Sequence, residues 1–151
     1  MTWLREKVAG DSSLDEVYGL TPKVQEHFRE LERDVWGSGV DPALLELARL
    51  RIATLVGCGP ELAHRTPAAR RAGLAEDKIA ELAQWPTSPR FTARERMVLA
   101  FCESYVIDAH SVTDALCARL NEQYSPRELS ALTVAVAMFD AMARFRTALD
   151  A

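Results

Sequence analysis

The chain has 151 residues, 48% of them apolar and 26% charged, with a formal net charge of −4. This is the length of one domain with room for a real core, and the composition is that of an ordinary globular protein. Scattered basic residues, with no run longer than Arg70-Arg71, exclude an electrostatic nucleic-acid binder, and no run of ~18 apolar residues exists to span a membrane.

The N-terminal stretch MTWLREKVAGDSS carries Arg5, Glu6 and Lys7 and lacks the apolar centre of a signal peptide. Cysteines occur at 58, 102 and 117, an odd number without a Cys-x-x-Cys. That usage fits a reducing, cytoplasmic setting better than a disulfide framework. The first 20 residues read either as one more short helix or as a loosely ordered segment.

From there the punctuation is helical. Thr21-Pro22 is an N-cap followed by proline at the first helical position, opening a helix to about Trp36 that Gly37-Ser38-Gly39 ends. Asp41-Pro42 repeats the signal for a helix to about Gly57. Its apolar residues go nearly all the way round, which predicts a central, buried element. A third helix opens at Pro60 and ends at Gly73, broken or kinked at Pro67, which removes a backbone donor. A short helix spans about 76–84. Thr92-x-x-Glu95 is a capping box for a helix over 93–107. Thr113 caps another to about Tyr124. Ser125-Pro126-x-Glu128 opens the last helix, to about Ala148. No alternating strand pattern and no internal repeat occurs. The expected fold is all-α, a compact bundle of about seven helices in one domain with its core in residues 20–148.

The segment LVGCGPELAHR, residues 55–65, holds the candidate chemistry. Cys58 precedes a helix start, where the positive helix end favours a thiolate. Glu61, three residues on, opposes that, and a buried apolar role is the plainer alternative. Glu61 and His64, spaced i, i+3, would share a helix face and could exchange protons, since His titrates near neutral pH. Glu-x-x-His is also half of a di-iron motif, but no second copy is present, so no metal site is expected. Glu46 and Arg49 share a face of the buried helix, where a charge must be paired. Glu46 lies ~18 Å along a straight helix from Cys58. A hairpin at Gly57–Gly59 would instead fold it back onto the third helix.

In order and spacing, ELARLRIATLVGC, the acidic-then-His segment, AARRAGL, the W…FTARER loop-to-helix and FDAMARF resemble the carboxymuconolactone decarboxylase family, which includes alkyl hydroperoxidase D. The resemblance covers residues 20–148 and implies an alkyl hydroperoxidase D-like fold and a homo-oligomer: a trimer, hexamer or dimer. The hydroperoxidase branch uses a Cys-x-x-Cys with an upstream Glu and a downstream His. Glu46 matches that Glu and Cys58 the first Cys. Glu61 stands at the second Cys, and Arg65 at the relay His, with His64 one residue earlier. The pattern is similar to the non-redox members.

The reading that follows from the residues and the resemblance is a carboxymuconolactone decarboxylase-like enzyme using acid–base chemistry without cofactor, acting on a small organic acid or lactone. Glu61 and His64 would exchange protons, Glu46 would orient or relay, and Cys58 would line the pocket. A one-cysteine peroxidase or redox sensor, and a non-catalytic binding protein on the same fold, are the alternatives.

The last helix is apolar on nearly every side, with Leu129, Leu132, Val136, Phe139 and Met142 among alanines. It is therefore expected to be central or to meet another subunit. Asp140 on it would pair with Arg144 at i+4.

Overall fold

A computed structural model describes residues 20–149. Apart from Leu20, the expectations for the first 20 residues lie outside the described residues.

Among the described residues the secondary structure is helical throughout. The α-helices are α1 Pro22–Trp36, α2 Pro42–Val56, α3 Gly59–Ala63, α4 Pro67–Arg71, α5 Glu76–Ala80, α6 Ala93–Ile107, α7 Asp114–Gln123 and α8 Pro126–Leu149. Two short 3₁₀ turns, Leu82–Gln84 and Ala109–Ser111, follow α5 and α6. The count exceeds seven because the segment expected as one helix over 60–73 is two. Proline at 67 excludes the α conformation at the residue before it, and Thr66 sits at φ −67°, ψ 145°.

Local chemistry sets the remaining boundaries. Asp41 Oδ1 accepts from the Ala43 N–H at 2.9 Å and starts α2. Gly57, at φ 77°, takes the left-handed conformation that turns the chain back into α3. Both capping boxes form: Thr92 with Glu95, and Ser125 with Glu128, whose carboxylate accepts from the Ser125 N–H at 2.8 Å.

α2 is the centre of the bundle, packed mainly against α8 and α6. Leu45, Leu47, Leu50 and Ile52 point in different directions around it, yet all are sealed from solvent. Each such burial stabilises the fold by ~1.5–3 kcal/mol. The main core joins Leu45, Ala48 and Ile52 to Val98, Leu132, Val136 and Phe139. A smaller one gathers Leu47, Leu50, Leu82, Phe91 and Leu99 on the other side of α2. Asp140 and Arg144 pair on α8 at 2.8 Å, as their spacing predicts. None of the described helices is long and apolar enough to cross a membrane.

Candidate functional site

Glu46 and Arg49 are the charged residues that α2 carries into the interior; Glu46 is fully buried and Arg49 is 5% exposed. They form a two-point pair: Arg49 Nε donates to Glu46 Oε2 at 3.0 Å and Nη2 to Oε1 at 2.8 Å. Thr66 completes the carboxylate's shell, its N–H and hydroxyl donating at 3.1 and 3.0 Å. Burial pushes the Glu46 carboxyl up, but the pairing with Arg49 and the Thr66 hydrogen bonds outweigh it, so its pKa lies below the usual 4.5. Burial likewise opposes the Arg49 charge, and Glu46 and Glu61 together more than offset it.

The rest of the Arg49 guanidinium reaches across the turn after α2. Nη1 donates to the Glu61 backbone carbonyl at 2.8 Å and also to the Glu61 carboxylate, while Nη2 donates to the His64 carbonyl at 2.9 Å. All five N–H donors of Arg49 are thus used on protein acceptors. The other Glu61 oxygen, Oε1, lies 2.8 Å from Arg146 Nε on α8. That distance makes an ion pair, although the N–H is not aimed along the line and no hydrogen bond forms there. Glu46, Arg49, Glu61 and Arg146 therefore make one chain of alternating charge from α2 through α3 to α8.

This chain ends at a cavity of about 160 Å³. Arg49, Glu61, His64, Thr66 and Arg146 line its polar side. Phe28 and Trp36 of α1 and Phe139 and Met142 of α8 supply an apolar wall.

The structure brings three of the four expected site residues together, with a changed geometry. Glu61 and His64 both border the cavity, but not as neighbours on a helix face. α3 stops at Ala63 and His64 is extended, at φ −89°, ψ 146°, leading into the strap before Pro67. The His64 side chain is exposed, and its imidazole has no hydrogen-bond partner among the described residues. Glu46 does not reach the cavity itself; it acts on it through Arg49. The hairpin at Gly57 does fold α2 back onto α3, as its short connection suggested.

Cys58 is placed differently from the expectation that it lines the pocket. It is 1% exposed, belongs to the main core and is absent from the cavity wall. The N–H of Cys58 donates to the Ala53 carbonyl at 2.9 Å, which tucks the residue under the end of α2. Arg65 points away from the site and pairs with Glu76 at 3.0 Å. Among the described residues no group of three or more His, Cys, Asp or Glu is arranged to hold a metal ion.

Sequence reasoning missed Arg146, Thr66 and the aromatic wall. Arg146 lies far along the chain from Glu61, so no local spacing links them. Arg127, Asp140 and Arg144 are charged on the same helix, so no signal in the sequence singles out Arg146.

The sequence model of the carboxymuconolactone decarboxylase family matches residues 22–104, more than half of the chain. The chain belongs to this family. The matched span contains Glu46, Arg49, Glu61 and His64, and ends before the helix that carries Arg146. Over 120 residues the chain is 30% identical to the uncharacterized protein YnjA of Escherichia coli K12, covering 75% of this chain and 62% of that protein. The chain thus spans less than two thirds of that relative's length. A crystal structure of an Agrobacterium tumefaciens protein of unknown function, a candidate antioxidant defence protein AhpD, is similar with a TM-score of 0.79 and 24% identity, over 89% of this chain and 92% of that one. A debrominase, Bmp8, solved as a Cys-to-Ala variant with 2,3,4-tribromopyrrole, is similar with a TM-score of 0.73 and 19% identity, over 90% of this chain and 73% of that one. At these identities the likeness is one of fold, an all-α bundle.

Proposed function

We propose that this carboxymuconolactone decarboxylase family member performs cofactor-free acid–base chemistry on a small organic acid or lactone in the cavity beside Glu61 and His64. The supporting observation is the meeting, on one cavity wall, of a carboxylate placed by two guanidiniums and an imidazole with no partner among the described residues. The volume is that of a single ring: a cavity of ~150 Å³ holds benzene. The tribromopyrrole held by the debrominase of the same fold is a ligand of similar scale.

Decarboxylation beside a lactone carbonyl illustrates the demands. The bond to the carboxylate carbon breaks, CO₂ leaves, and the electron pair moves onto the carbonyl oxygen as an enolate. A proton must then return to carbon. His64, at the rim, is placed to donate it and to regain one from water. Glu61, its carboxylate held between Arg49 and Arg146, sets the local field of the site. Glu46 is a positioning residue, acting through Arg49. A one-cysteine peroxidase would need its thiol on a solvent path, and the burial of Cys58 gives that reading no support.

The test is turnover of a panel of lactone carboxylates, followed by CO₂ release. His64→Asn and Glu61→Gln should each lower kcat by about 10²–10⁴-fold, whereas Cys58→Ala should retain activity. Loss of activity in Cys58→Ala with retention in His64→Asn would overturn the proposal. Binding without turnover of any lactone acid would favour a non-catalytic binding protein.

A further inference from the structure

Two arginines face the cavity from opposite sides of Glu61, and they differ in what they have left to offer. Arg49 spends all five donors on Glu46, Glu61 and two backbone carbonyls. Arg146 spends little. Its Nε is buried and held 2.8 Å from Glu61 Oε1, without a hydrogen bond. Its Nη1 and Nη2 make no hydrogen bond to the described residues, and the side chain stays about one third exposed, at 32%. Arg29 also borders the cavity but is already engaged in an interaction of its own.

We infer that Arg146 is the anchor for a carboxylate on a ring-sized ligand in this cavity, and that Arg49 only holds the protein. The inference rests on the reading of this cavity as the ligand site. Glu61 Oε1 stands against the Nε side of the Arg146 guanidinium. That leaves the edge with two parallel N–H groups, the geometry that matches a carboxylate at two points. Trp36, Phe139 and Met142 stand on the same cavity and receive the ring. The Glu46–Arg49–Glu61–Arg146 chain sums to zero, two carboxylates against two guanidiniums. Arg29 and Glu32, which also border the cavity, add one charge of each sign, so donor geometry rather than excess positive charge selects the ligand. An ion pair stabilises a carboxylate as it stands, so the carboxylate gripped by Arg146 is a handle, and a substrate that loses CO₂ in this cavity carries a second carboxylate for that step.

Calorimetric titration with benzoate and with its neutral isostere benzamide tests this without any turnover. The unmodified protein should bind benzoate about tenfold or more tightly than benzamide, the scale of a charge-assisted hydrogen-bonded pair. Arg146→Gln should reduce that preference to within about twofold, and Arg146→Lys should keep part of it, because a lysine offers charge without the two-point fork. Arg144→Gln, on the same helix but paired with Asp140, should keep all of it. Should Arg146→Gln fail to fold, the reduced preference of Arg146→Lys relative to Arg144→Gln carries the test. No benzoate binding, no preference in the unmodified protein, or a preference that survives the Arg146 substitutions would overturn the inference. The result is separable from the proposed chemistry: an Arg146-dependent preference with no lactone turnover leaves the anchor standing and removes only the reaction.

Discussion

α2 carries two arginines, Arg49 and Arg51, two residues apart, and they end in different surroundings. Arg51 pairs with Glu103 on α6, its Nε donating at 2.8 Å, and Trp85 Nε1 donates to the same oxygen at 2.6 Å. This cluster ties α2 to α6 and to the turn after α5, and it borders no part of the 160 Å³ cavity. Arg49 is more deeply buried, binds two carboxylates and two backbone carbonyls, and stands against that cavity. Both pairs brace the fold. Only the Arg49 side organises an irregular strap and presents a carboxylate and an imidazole to an open space. An arginine–carboxylate pair is thus no mark of a site by itself; what distinguishes the two is the cavity and the groups left without partners beside it.

The contrast breaks most sharply by deleting each arginine. Arg49→Ala leaves Glu46 buried without its partner and orphans the 61 and 64 carbonyls, so a loss of ~3–5 kcal/mol is expected. Arg51→Ala, at a pair more open to water, should cost about 1 kcal/mol. Urea unfolding of both variants measures the difference. Equal losses would erase the distinction between the two sides of α2.

Acid sharpens it next. The folded pKa of Glu46 is depressed, so its stabilising contribution is fully present above the unfolded value near 4.5 and is lost as pH falls below it, through the folded pKa. Stability should decline on acidification below about pH 4.5, and Glu46→Gln should flatten the part of that decline that Glu46 contributes. An unchanged slope in Glu46→Gln would show that Glu46 is not the linked group.

These two predictions rest on parts of the site that differ in how legible they were. The Glu46–Arg49 pair follows from an i, i+3 spacing inside an apolar helix, and the caps at Asp41, Thr92 and Ser125 are local, so each could be read directly. Glu61 lies in a helix as its context predicts, whereas His64 stands just past the helix end in an extended conformation. The sequence marks Pro67 as a breaker, yet spacing does not say that the chain leaves the helix three residues earlier. Cys58 was ambiguous because a helix start and a core position look alike until tertiary packing decides. Arg146 and the aromatic wall depend on α1 and α8 closing over α3, a long-range event with no local signature.

Smaller effects concern the thiols and the surface. Among the three cysteines, only Cys117 is exposed. A thiol reagent should label Cys117 in the native protein, and Cys58 and Cys102 only on unfolding. Burial in particular pushes the Cys102 thiol well above its usual range. Rapid native labelling of Cys58 would reopen the peroxidase reading. Leu20, Val24 and Leu31 are exposed at or along α1 and Val134 on α8. We propose that such apolar surface is covered in a homo-oligomer. Sedimentation equilibrium at micromolar concentration should then give a multiple of 16.8 kDa, and a monodisperse monomer would contradict it.

The most direct test of the central claim, that Glu61, His64 and Arg146 border the ligand site, is NMR of the three histidine rings during titration with a γ-butyrolactone carboxylate, assigned by a His64→Asn variant. The account predicts that the His64 ring resonances shift with saturation while those of His27 and His110, which are off the cavity, stay in place. Binding that leaves His64 unperturbed, or that shifts His110 instead, would contradict it.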